Sequence, residues 1–78
     1  MKLWHISQDQ DDGYDTYDSA VVAAETSEEA ANTHPTGDAK RWQEKYGTWC
    51  SEPSHVTVRY LADYDGPAGV ICASFNAG

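Results

Sequence analysis

Carboxylates have the most chemistry to offer in this 78-residue chain, which holds thirteen Asp and Glu against five Lys and Arg. Eight lie within the first thirty residues: Asp9, Asp11, Asp12, Asp15, Asp18, Glu25, Glu28 and Glu29. Lys2 is the only base there, so this stretch carries −7 of the formal −8. Residues 31–78 set Asp38, Glu44, Glu52, Asp63 and Asp65 against Lys40, Arg41, Lys45 and Arg59, leaving −1. Acids crowded into residues 9–18 could ligate calcium. Aligning Gly13 with the invariant glycine of an EF-hand loop, however, puts Gln8 and Gln10 at the first two ligand positions and Ser19 at the terminal glutamate, so the calcium signature fails. His5, His34, His55, Cys50 and Cys72 are possible zinc ligands, but none shows the close paired spacing of a structural zinc site. No metal and no cofactor is expected.

Catalysis finds little footing either. Nucleophilic chemistry needs a Ser or Cys held beside a base, and no such signature occurs. The six glycines are scattered rather than gathered into a phosphate-binding loop. Acids in a hydrated loop lack the burial that raises a carboxyl pKa for acid–base work. The expectation is a protein that binds rather than an enzyme. Tyr14 and Tyr17 are interleaved with Asp11, Asp12, Asp15 and Asp18, and tyrosine supplies contact area at low entropic cost. The candidate partner-binding set is therefore Asp9, Asp11, Asp12, Tyr14, Asp15, Tyr17, Asp18, Glu25, Glu28 and Glu29. The alternative is a solvated hairpin loop. Such charge excludes direct nucleic-acid or anionic-membrane binding, which needs bases to displace counterions, and fits a partner with a basic groove.

These groups must be positioned by a small fold. At this length one modest core can form, so residues 1–78 are read as a single domain. Hydrophobic residues make up 40% of the chain, with three Trp and five Tyr, which is too apolar for a disordered segment. No leader and no membrane-spanning run is visible, and two cysteines do not make a disulfide scaffold. A soluble cytoplasmic protein is expected, monomeric or a small homo-oligomer, with pairing of Cys50 and Cys72 left open.

KLWHIS at 2–7 reads as a strand, and Asp12–Gly13 as a turn leading to a second strand through Ala20–Ala24, apolar on both faces as a central strand requires. Thr26 stands three residues before Glu29, the spacing of a capping box, so a helix should start at Ser27 and end by Pro35 after two turns. Asp38 could cap a second helix, AKRWQEKY, stopped at Gly47. HVTVRYL then alternates, with Val56, Val58 and Tyr60 inward, and GVICASF forms the last strand with Ile71, Ala73 and Phe75 on one face. Trp4, Trp42 and Trp49 are read as core. The order β-β-α-(α)-β-β predicts an α+β domain: a four-stranded, mainly antiparallel sheet with one or two short helices on one face.

Three stretches carry a resemblance. GYDTYDSAVVAAETSEEAANTHP at 13–35, the tryptophan-containing middle and GVICASFNAG at the close resemble a family of small bacteriophage-encoded proteins. The likeness covers both ends, about half of the chain, with divergence expected from Thr36 to Pro53, and it brings no catalytic residues to carry over. It implies a host-takeover or anti-defence factor of the anti-CRISPR type, whose carboxylates lie where DNA phosphates would in a host nucleic-acid-handling complex. Two other readings stay open: an oligomeric sponge for a nucleotide signal, using Lys40, Arg41, Lys45 and Arg59, and a passive accessory protein.

Overall fold

The computed structural model describes residues 1–8, 16–37, 42, 49–50 and 52–76. It contains a four-stranded antiparallel sheet with one short helix, a small α+β fold. Strands β1 (Lys2–Ser7) and β2 (Thr16–Ala24) form the expected hairpin, with Lys2 opposite Ala24 and Ser7 opposite Ser19. Helix α1 (Ser27–Ala31) follows, then a 3-10 turn at Pro53–His55, β3 (Thr57–Asp63) and β4 (Gly69–Asn76). The strand order is β3-β1-β2-β4. The connection from β2 to β3 must therefore pass over β1, and α1, which touches β1, β2 and β3, lies along that path.

The apolar run of β2 is explained by its place. It pairs with β1 on one side and β4 on the other. Ala20, Val22 and Ala24 turn toward the core, where they meet Ile6, Ala30 of α1, Trp49 and Cys50. Small alanines let the helix approach the sheet closely. Ile6 and Val22 are fully buried, each contributing about 1.5–3 kcal/mol of apolar burial. Trp49 is in the core as expected, and its indole N–H finds no acceptor among the described residues. Trp4 and Trp42 pack at the margin of the core and both donate to backbone oxygens, of Ala24 at 3.0 Å and Asn32 at 3.4 Å.

Thr26 caps α1, its Oγ1 accepting from the Glu29 amide at 3.2 Å. The return bond of a capping box is displaced by one residue, because the Glu29 carboxylate accepts from the amide of Glu25 rather than that of Thr26. The helix also stops a turn before Pro35. The Thr33 amide turns to the Ala30 carbonyl, and Thr33 Oγ1 donates to the Glu29 carbonyl that this amide would have used in another helical turn; Asn32 Nδ2 joins its own amide on the Glu28 carbonyl. The expected second helix, residues 39–46, lies outside the described residues except for Trp42.

Two strand expectations are corrected. His55 belongs to the 3-10 turn, not to a strand, because Pro53 opens that turn and Val56 donates back to the Pro53 carbonyl. Tyr60, expected inward, is 50% exposed; Ile71 and Phe75, expected on one face, are 47% and 45% exposed. The core is built over β1 and β2, so residues that face its side from the two edge strands overhang it. Register shifts contribute: between Val21 and Val22 the shift leaves Ile71 without an opposing residue, and Val70 packs on the core instead.

Candidate functional site

Asp9, Asp11, Asp12, Tyr14 and Asp15 lie outside the described residues. The other candidates are all on β2 and α1. Asp18 is exposed, near the start of β2, beside a register shift between Tyr17 and Ser19. Tyr17 is half-buried: its ring stacks at a tilt on Phe75, centroids 4.9 Å apart, and packs against the core. Its contact area is spent largely inward.

Glu25, Glu28 and Glu29 are exposed at the N-terminus of α1, where the helix dipole favours negative charge. They lie beyond the opposite end of β2 from Asp18. At roughly 3.3 Å per residue, the seven steps from Asp18 to Glu25 span about 23 Å. The structure therefore does not bring Asp18 together with the helix acids.

It gathers a different set. Lys2 lies between Ala24 on one side and Asp63 on the other, and the Tyr64 amide donates to the Met1 carbonyl at 3.0 Å. Asp63 and Asp65 thus join Glu25, Glu28 and Glu29 at one end of the sheet, all exposed. Among the described residues the positive groups at this end are Lys2 and the Met1 amino group, which stands 3.8 Å from Glu25 Oε1. Tyr60 belongs to this end: its ring meets Trp4 edge-on at 5.6 Å and its hydroxyl donates to Asp63 Oδ1 at 3.0 Å. That bond raises the phenol above its ordinary pKa, because ionisation would forfeit the hydrogen bond donated to Asp63 and, to a lesser degree, set two anions side by side. The missed signal is readable in YLADYD, which interleaves Tyr60 and Tyr64 with Asp63 and Asp65 much as YDTYD does at 14–18.

The remaining chemistry-bearing groups are dispersed. Cys50 is buried and directs its thiol at the Glu52 carbonyl, whereas Cys72 is exposed, and both are free. Burial raises the Cys50 pKa, against a smaller opposing effect of its backbone hydrogen bonds. Buried His34 accepts the Thr36 amide on Nδ1 and stands edge-on to Trp42 at 5.3 Å. Ser54 Oγ donates to Glu52 Oε1 at 2.9 Å, and His55 Nε2 lies 3.5 Å from that same oxygen. The hydroxyl is thus bonded to a carboxylate, not to an imidazole poised to take its proton. Among the described residues no three His, Cys, Asp or Glu come together as metal ligands, and no helix is long and apolar enough to cross a membrane. Comparison of the chain with family models, curated proteins and solved structures finds no match.

Proposed function

We propose that this domain is a phage-encoded inhibitor acting in the host cytoplasm, where its acidic surface occupies the basic groove of a nucleic-acid-handling or defence complex. The observation that carries the reading is the set of exposed carboxylates at one end of the sheet, Glu25, Glu28, Glu29, Asp63 and Asp65, opposed among the described residues by Lys2 and one amino group. Carboxylates held on strand ends and a helix start stand in for phosphates: they accept hydrogen bonds from Arg and Lys of the target, and Tyr60 adds contact area. The acids of residues 9–15 supply further charge of the same sign. The phage origin is supported by the sequence resemblance. Inhibition is competitive and involves no covalent step.

A pull-down from host lysate tests the proposal with two variants side by side. One carries Asn at Asp11, Asp12, Asp15 and Asp18; the other carries Gln at Glu25, Glu28 and Glu29 and Asn at Asp63 and Asp65. The second is expected to lose a basic partner that the native chain retains, with folding unchanged by circular dichroism. Loss in the first variant alone would move the contact to the hairpin loop. Retention in both would move it to the segment bearing Trp42 and Trp49 and defeat the acidic reading. Because exposed ion pairs are screened, affinity should also fall from low to physiological salt.

A further inference from the structure

We propose that β4 pairs with the β4 strand of a second copy of this chain, antiparallel and with Ala73 opposite its own counterpart, joining two four-stranded sheets into one of eight. The proposal stands independently of the acidic surface. Four observations carry it.

β4 closes one edge of the sheet, with β2 on its inner side. Sheet edges are usually blunted by charge, and β3 at the other edge carries Arg59 and Asp63. β4 reads GVICASFN and holds no Asp, Glu, Lys or Arg in a chain of net charge −8. Among the described residues no strand pairs with its outer side.

Its exposed apolar side chains are placed symmetrically. Ile71 at 47% and Phe75 at 45% exposure flank Ala73 at equal spacing. A two-fold axis normal to the sheet at Ala73 sets Ile71 against Phe75 of the second copy, and Phe75 against its Ile71. Cys72 then meets Ser74 of the second copy. Opposed residues in such a pair bring their Cβ atoms to about 4.5–5.5 Å, and the small alanine suits the axis. This self-complementarity selects a second copy rather than an unrelated strand.

The apolar row is also continuous with the core. The Phe75 ring lies against Tyr17, and both Tyr17 and Val70 pack on the buried cluster. Pairing would extend the core across the new interface and cover the overhang that one copy leaves exposed.

The test combines mass with a register-specific crosslink. Sedimentation of the full chain is expected to show the mass doubling as concentration rises, and Ile71→Lys and Phe75→Lys should hold it at one copy. In a Cys72→Ser background, Ala73→Cys should form an intermolecular disulfide under oxidised glutathione, because either antiparallel pairing puts opposed Cα atoms about 4.5–5.5 Å apart, within bridging range. Thr57→Cys, on β3, is the control and should crosslink far more slowly. A single-copy mass throughout, a mass climbing past two copies, or equal crosslinking at Ala73→Cys and Thr57→Cys would each overturn the proposal. The crosslink needs no charged substitution, so it remains decisive if a lysine variant fails to fold. Salt separates this reading from the previous one: two copies of charge −8 associate more tightly as salt rises, whereas capture of a basic target weakens.

Discussion

The two cysteines differ by environment alone. The Cys50 thiol is buried and points at a carbonyl, and removing its proton would leave a desolvated anion, so its pKa rises; Cys72 lies on the outermost strand in water. Iodoacetamide at about pH 8 is expected to alkylate Cys72 in the native protein and Cys50 only after unfolding, as read by mass spectrometry with peptide mapping. The linkage has a definite sign. A folded pKa raised above the unfolded one stabilises the fold below the unfolded value, and that contribution is lost as pH rises through the folded value. Alkaline rather than acid conditions should therefore expose Cys50. Equal labelling of both thiols in the native state would contradict the buried placement.

At the scale of elements, α1 has only five residues and depends on its ends. A helix so short is marginal on propensity, and Ala30 packed into the core together with the Thr26 cap holds it. Thr26→Ala is expected to cost about 1 kcal/mol, measured as a shifted urea midpoint with an unchanged slope. A shift near zero would mean that packing alone sets the helix start. The capping spacing was legible because it is local: one hydroxyl and one amide three residues apart. The helix end was less so, since Asn32 and Thr33 compete for the last carbonyls before Pro35 can act. At β3 and β4 the alternation located both strands. It could not say which alternating residues would be covered, because register shifts and edge position decide that.

For the whole molecule, one small core carries the stability, and a chain of this size has roughly 4–12 kcal/mol in all at 0.05–0.15 kcal/mol per residue. Ile6 is fully buried between β1 and the residues of β2 and α1. Ile6→Ala should therefore cost about 2–5 kcal/mol, a large share of that total, and chemical denaturation would measure it. A cost below about 1 kcal/mol would show that the cavity collapses easily or that Ile6 is not the keystone its burial suggests. The acidic groups contribute little to this balance because those described are exposed. Their effect falls on partners and on self-association, through salt.

By itself the sequence determined the α+β class, the hairpin, the start of the helix and the central place of Ala20–Ala24, because periodicity and capping act between near neighbours. It also determined the charge and its concentration in the first thirty residues. Which carboxylates stand together was decided only by the tertiary structure. Asp18 and Glu25 are near in sequence, yet an extended strand carries them to opposite ends of the sheet, while antiparallel pairing through Lys2 brings Asp63 and Asp65 to the helix acids from forty residues away. Proximity along an extended chain is lost at over 3 Å per residue; proximity across a sheet is set by pairing, which no local pattern encodes.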